Sequence, residues 1–219
     1  MKAKKVVFKK GVTYIGGGAF HNFRKLKEVV LPEGVISIGA SAFWNTPNLK
    51  RIQFPSTLKK IGKDAFDGSG LEIIHLQNIK EIGVGAFSGT NIKRVTIPSN
   101  CTNLKPYAFI SCFEMKRVKI EKGIKIIRNS VFARTGIESV TIPASVTKIE
   151  NDAFWAFSPE ESKLKSVTIN STKIKKWGKN IFGKARKDLV IRVPKSKKKE
   201  YTKALREGGL PEYVKIVGK

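Results

Sequence analysis

The fold of this protein is decided by the segment LKEVVLPEGVISIGASAF, residues 26–43, and by its recurrence along the chain. The segment opens with an apolar run that ends at Pro32, continues to an Ile-Gly step at Ile38 and closes on an Ala-Phe step at Phe43. The same order restarts at Leu49, which gives a period of roughly 21 to 23 residues. A fixed period of that length is typical of a solenoid in which short units stack on one another.

Two markers show how often the unit recurs. The Phe of the Ala-Phe step stands at Phe20, Phe43, Phe66, Phe87, Phe109, Phe132, Phe154 and Phe182. The Ile-Gly step precedes the first four of these and returns as Trp177-Gly178 before the last. Lys105, Arg128 and Glu150 replace its Gly in between, so those turns are expected to differ locally. The sequence therefore predicts eight units.

The opening segment of each unit alternates apolar and polar residues, as in Val95-Thr96-Ile97 and Val140-Thr141-Ile142. A period of two with β-branched residues predicts a short strand. A following proline such as Pro98 ends the strand, because proline has no N–H to donate to a neighbouring strand. Since no unit can bury its apolar side alone, the strands are expected to stack as a parallel sheet about 4.8 Å apart. The repeated Phe then forms a buried aromatic column.

This pattern resembles that of the BspA-type leucine-rich repeat family over nearly the whole chain, and Cys112 stands at the family's Cys position after Phe109. The resemblance implies a right-handed horseshoe with a parallel β-sheet on the concave face and mostly loops or short helices on the convex side. It implies about eight units over residues 1–188 and a C-terminal capping segment over residues 189–219. Members of the family are mostly bacterial or protist surface proteins that act as adhesins or interaction modules, and the repeat itself carries no catalytic activity.

The charge of the chain is its first functional clue. Its 219 residues include 43 Lys and Arg against 17 Asp and Glu, a net charge of +26. Such an excess attracts phosphates, sulfated sugars and other anionic surfaces over a long range. No apolar run approaches the roughly 18 to 20 residues of a membrane span. The N-terminus lacks the apolar stretch of a signal peptide, whereas the family resemblance implies the cell surface, so the compartment stays open.

Outward positions of the predicted strands carry many basic residues on the expected concave side. This basic stripe consists of Lys50, Arg51, Lys93, Arg94, Lys116, Arg117 and Lys119. Its three arginines are the strongest candidates for binding an anion, because a guanidinium group can donate two parallel hydrogen bonds to phosphate or sulfate. The alternative is that these charges only keep the sheet soluble and discourage pairing at its edges.

Two further places are candidates for contact with a partner. One unit runs long near Trp155 and Phe157, and insertions in solenoids emerge as loops on one edge. The alternatives are a tolerated surface insertion or aromatic residues that pack internally. The N-terminal unit begins at once with Val6 and shows no capping segment, so this edge is expected to pack on a partner subunit or to continue into a longer chain.

The residue types argue against catalysis. The repeat places His21, His75, Cys101 and Cys112 in different roles, with His21 and Cys112 four units apart. Neither a metal site nor a nucleophile beside a base follows from their spacing. No cofactor motif is present. The sequence therefore predicts a non-enzymatic binding or scaffold module that engages a protein partner through the concave face, as an adhesin does. The alternative is a polyanion binder that recognises the nucleic-acid backbone, a heparin-like glycan or an anionic cell-wall polymer.

Overall fold

The protein is a repeat solenoid of stacked coils in a computed structural model that describes residues 3–219. Each coil supplies strands to rows in which successive coils pair in parallel. In these rows, residues at the same place in consecutive units lie side by side, as Arg94 does beside Arg117. Apolar side chains of both rows point inward and form one continuous core. The predicted solenoid with a parallel sheet is confirmed.

The first row contains strands of three or four residues. They are β1 (Lys5–Val7), β3 (Glu28–Val30), β5 (Arg51–Gln53), β8 (Arg94–Ile97), β10 (Arg117–Ile120), β12 (Ser139–Ile142), β14 (Ser166–Ile169), β16 (Val190–Val193) and β17 (Lys215–Gly218). Strands β1, β3 and β5 form one sheet, and the other six form a second sheet. An isolated bridge from Arg51 to Ile73 continues the row into the coil after β5. The outward side of this row is called the long-strand face.

The second row contains two-residue strands built from the Ile-Gly steps, for which the sequence predicted only turns. They are β2 (Tyr14–Ile15), β4 (Ser37–Ile38), β6 (Lys60–Ile61), β7 (Glu81–Ile82), β9 (Asn103–Leu104), β11 (Ile126–Ile127), β13 (Lys148–Ile149) and β15 (Lys176–Trp177). The outward side of this row is called the short-strand face.

The eight Phe residues form the predicted column. Consecutive rings stack with centroids 5.2 to 5.8 Å apart and planes inclined by 2 to 21°. Phe20, at the N-terminal end, is half-buried, and the others are buried. The turns that carry the rings hold no α-helix along residues 3–194.

Left-handed backbone shapes each Phe turn. In seven of the eight turns the residues two before and two after the Phe both have positive φ, and in the Phe154 turn only the residue before it does. Gly, Asn, Asp or Ser occupies most of these positions, because other side chains clash with the backbone in this conformation. The exceptions are Tyr107, Arg134 and Lys184.

Glycine is required where consecutive coils approach each other most closely. A Cβ atom on Gly62 would lie 2.7 Å from the backbone nitrogen of Ala40, and one on Gly83 would lie 2.5 Å from the carbonyl carbon of Gly62. Gly16 occupies the same place in the first coil, and a Cβ there would meet nothing within 4 Å.

The C-terminal segment covers the last coil. A short 3-10 helix (Lys195–Lys197) leads into α1 (Lys198–Glu207), which buries Tyr201 and Leu205 against the core. The Tyr201 hydroxyl accepts a hydrogen bond of 3.1 Å from the backbone N–H of Ile174. Strand β17 then pairs with β16 at the end of the long-strand row.

Candidate functional site

The long-strand face displays all seven residues of the basic stripe as exposed side chains. Because the strands pair in parallel register, Arg94 lies directly beside Arg117, and Ser139 follows in the next coil. Arg51 pairs instead with Ile73, whose side chain is 44% exposed. Adjacent strands are about 4.8 Å apart, so the two neighbouring arginines form a compact positive pair and Arg51 stands apart from it.

Carboxylates neutralise part of the stripe. Lys50 and Lys93 both lie near the carboxylate of Glu72, at 3.4 Å and 3.2 Å, and Lys119 lies 3.3 Å from Glu121. The hydrogen bond and charge of Lys93, with a smaller contribution from Lys50, lower the pKa of Glu72.

Four residues of the stripe have no carboxylate within 4 Å among residues 3–219. They are Arg51, Arg94, Lys116 and Arg117. The unpaired charge is therefore greatest where Arg94, Lys116 and Arg117 meet.

An exposed aromatic patch lies on the loops that follow the Phe column. It consists of Phe113, Arg134, Trp155 and Phe157, which come from three successive coils. The Arg134 guanidinium lies 4.1 Å from the ring centre of Phe157 and 5.4 Å from that of Phe113. Trp155 meets Phe157 edge to face at 4.8 Å. Phe113 is 59% exposed and Phe157 is 49% exposed, so two large rings face solvent beside a cation.

Arg134 has a left-handed, strained backbone within this patch. Its φ is 57°, in the left-handed region. Five of the seven equivalent residues in other turns are Gly, Asn or Ser, and the other two are Ala156 and Lys184. Its Nε atom is buried, and no hydrogen-bond partner contacts it within the described residues 3–219. Arg134 therefore combines a left-handed backbone and a buried donor that lacks a partner among residues 3–219 with a position beside two exposed rings.

The structure places Trp155 and Phe157 of the inserted loop in different environments. Trp155 is half-buried and covers Gly183, so it packs against the coil that follows, whereas Phe157 is exposed. The sequence reasoning missed Phe113 and Arg134. A signal was present, because Phe113 is a large apolar residue at a place where Arg24 and Pro47 stand in other units.

The cysteine and histidine residues lie in different surroundings rather than in one site. Cys112 is buried and contacts Thr90 at 3.2 Å, and desolvation raises the pKa of its thiol to about 11. Burial likewise raises the pKa of Cys101 to about 11. His21 stacks on Trp44 with ring centres 4.4 Å apart. Across residues 3–219, no three His, Cys, Asp or Glu side chains gather to hold a metal ion.

Among residues 3–219, no helix is both long enough and apolar enough to span a membrane.

The sequence matches the family described as BspA type leucine rich repeat region (6 copies), over residues 1–115, 38–159 and 102–206. These overlapping matches cover the chain from its first residue to α1. The chain belongs to the BspA-type leucine-rich repeat family. No protein of curated function matches the sequence.

Three solved structures show what this BspA-type repeat protein is similar to. A leucine-rich cell surface protein from Faecalibacterium prausnitzii shares 29% identity with a TM-score of 0.67, over 78% of this chain and 49% of its own. A leucine-rich repeat protein from T. pallidum shares 22% identity with a TM-score of 0.62, over 98% and 88%. One from Bacteroides ovatus shares 24% identity with a TM-score of 0.53, over 86% and 63%. The BspA-type chain thus spans about half of the first protein and under two thirds of the third.

Proposed function

We propose that this BspA-type repeat protein is a non-enzymatic binding module, which holds a protein partner at the Arg94–Arg117 pair and the aromatic patch. The observation that carries the proposal is their proximity. Phe113 precedes Arg117 by four residues, so no more than about 14 Å of chain separates them. Exposed aromatic rings and arginines contribute most of the binding energy in many protein interfaces. Together they suit a partner that carries both apolar and acidic side chains.

The strain at Arg134 supports a role in binding. Left-handed backbone costs a residue other than Gly or Asn about 1 kcal/mol, and the equivalent places two residues after other Phe rings hold Asn22, Asn45 or Gly68. The chain keeps an arginine where asparagine would fold more easily. Its position between two exposed rings gives that arginine an orientation that a free surface side chain lacks.

The same proposal covers organisation and place of action. Residues 1–188 act as the solenoid and residues 189–219 as its cap, and display at the cell surface is supported by the likeness to the Faecalibacterium protein. The N-terminal edge offers a second contact, since Val6 and Phe8 are only half-buried at the end of the core.

A second candidate function is polyanion binding. The observation that favours it is the Arg94–Arg117 pair without a neighbouring carboxylate, together with the net charge of +26. Such binding weakens steeply as salt is added, because counterions compete with the protein for the polymer. The aromatic patch would contribute little to binding a sulfated glycan or a phosphate backbone.

The test begins with peptides selected from a displayed random library on the purified protein. We expect them to be rich in acidic and apolar residues, and we expect labelled copies to lose about tenfold affinity on Phe113→Ala, a loss of ~1.4 kcal/mol. The double variant Arg94→Ala/Arg117→Ala should weaken binding at least as much. Arg134→Asn should weaken it while leaving the protein as stable as before or more stable, because asparagine accepts the left-handed backbone.

Arg24→Ala is the matched control, since it removes one exposed arginine far from the patch. Selected peptides that bind all these variants equally would overturn the protein-binding proposal. Fluorescence polarisation with labelled heparin, single-stranded and double-stranded nucleic acid, each across a salt series, tests the second candidate. Tight binding to one polymer that persists at physiological salt and is lost in Arg94→Ala/Arg117→Ala would favour polyanion binding instead.

A further inference from the structure

A groove of about 510 Å³ crosses the N-terminal half of the short-strand face. Its lining includes Ala40, Lys63 and Val84, together with the charged residues Lys60, Glu81 and Lys105. Its lysines are Lys60, Lys63 and Lys105; Lys63 lies 3.8 Å from Asp64, and Lys105 has no carboxylate within 4 Å among residues 3–219. Glu81 is already paired with Lys60 at 3.1 Å.

Three residues of the lining carry backbone N–H groups that no other described residue uses. Ala40, Lys63 and Val84 each follow the Gly of an Ile-Gly step by one residue. Within residues 3–219, no protein atom accepts a hydrogen bond from the N–H of any of the three. Because Gly62 and Gly83 have no side chains, the N–H groups of Ala40 and Lys63 in the preceding coils stay uncovered.

Further along the short-strand face, a carboxylate of the chain accepts a hydrogen bond from the equivalent backbone N–H. The N–H of Asn129 donates to Oε2 of Glu150 at 3.0 Å, and Lys148 Nζ lies 2.7 Å from Oε1 of the same residue. Arg128 adds a contact of 3.3 Å. Partial burial alone would raise the pKa of Glu150, but the hydrogen bonds from Lys148 and Asn129 lower it overall. This site therefore holds an ionised glutamate.

The groove contains the same arrangement without the glutamate. Ala40 corresponds to Asn129, Lys60 corresponds to Lys148, and Gly62 stands where Glu150 would supply the carboxylate. We propose that the groove binds an extended acidic peptide segment, whose glutamate side chains take the place that Glu150 fills in its own coil. One glutamate accepts from the Ala40 N–H beside Lys60, and a second accepts from the Val84 N–H, where Lys105 stands at the place of Glu150 and supplies the cation.

The spacing fits a peptide. Ala40 and Val84 lie two coils apart, which is about 9.6 Å at 4.8 Å per coil. Three residues of a chain in the polyproline II conformation span ~9.3 Å and complete one turn, so glutamates at the first and fourth positions lie on the same face and reach both donors. A peptide is favoured over an acidic glycan because the group that fills the equivalent site in this chain is itself a glutamate side chain. The proposal concerns a different face from the Arg94–Arg117 pair and stands independently of the proposed function.

The test separates backbone donors from net charge. Pro106 occupies the equivalent place in its own coil, so proline fits this backbone, and Ala40→Pro or Val84→Pro removes one N–H without changing the charge. The probe is a labelled peptide with two glutamates three residues apart, and the control peptide carries glutamine in their place. Each proline variant should bind the glutamate peptide about tenfold more weakly, because a hydrogen bond to a charged group is lost.

Lys105→Glu should also weaken binding, whereas Lys125→Glu, with the same change in charge outside the groove, should not. Thermal unfolding verifies that the proline variants remain folded, and the two variants serve as substitutes for each other if one does not fold. Equal binding of the glutamate and glutamine peptides, or equal affinity for the wild-type and proline proteins, overturns the proposal. Binding of an oligogalacturonate without binding of the peptide also overturns it, in favour of a glycan.

Discussion

Replacing Phe87 by alanine should divide the solenoid near its middle. The ring of Phe87 is fully buried and stacks on Phe66 at 5.5 Å and on Phe109 at 5.3 Å. Truncation of a buried Phe costs about 3 to 5 kcal/mol, and two lost ring pairs place this site at the upper end, near ~5 kcal/mol. Phe87→Leu keeps most of the apolar volume and removes the stacking, so we expect about 1 to 3 kcal/mol there.

The loss should also change cooperativity. In a solenoid each unit contacts only its neighbours, so the stability depends on every interface between coils. A weakened interface at Phe87 lets the coils on either side unfold separately. Trp44 lies on the N-terminal side, while Trp155 and Trp177 lie on the C-terminal side, so their fluorescence can report on the two halves.

Urea unfolding followed by far-UV circular dichroism and by fluorescence provides the measurement. Wild-type protein should give transitions that coincide, and Phe87→Ala should give transitions that do not. Single-tryptophan variants, in which the other tryptophans are replaced by phenylalanine, assign each transition to one half. A cost below about 2 kcal/mol with transitions that still coincide would refute the view that the stacked column couples the coils.

Three further predictions concern single positions. Gly62→Ala should destabilise the protein by about 1 to 3 kcal/mol in thermal unfolding, because its Cβ would meet backbone, while Gly16→Ala should have no such cost. Cys112 should resist a thiol reagent at pH 8 until the chain unfolds, since burial raises its pKa from 9.0 to about 11. Because the thiol loses its proton at a lower pH in the unfolded chain than in the folded one, the free energy of unfolding should fall as pH rises from about 9 to 11. Tyr201→Phe should cost about 1 to 3 kcal/mol in urea, because the buried N–H of Ile174 loses its acceptor; an unchanged midpoint would contradict this.

The overall architecture could be predicted from the sequence. The repeat period, the positions of the long strands and the Phe column follow from one unit and its repetition, because stacking brings residues at equivalent places in successive units into contact. The short-strand row was missed as strand, since two residues such as Lys60 and Ile61 are too few for an alternating pattern to show. The positions with left-handed backbone could not be recognised from the sequence either, because Gly, Asn, Asp and Ser occupy them in different coils.

The candidate site was harder to predict, because it depends on contacts between coils at irregular places. The basic stripe could be read from the strand register, but its partial neutralisation by Glu72 depends on side-chain reach. Phe113 and Arg134 occupy different positions within their units, so a search for repeated features passes over them, whereas the long unit drew attention to Phe157. Only the loop that lengthens one coil brings Phe157 to Arg134.

The left-handed residues that flank each Phe also bear on how such a protein can evolve. Seven of the eight coils carry a pair of these positions, and most hold small residues that relieve the backbone. A mutation to a bulky side chain there costs about 1 kcal/mol in that coil and leaves the other coils unchanged. New surface chemistry can therefore be acquired one coil at a time, and Tyr107, Arg134 and Lys184 show that three coils of this protein carry a large side chain at such a position.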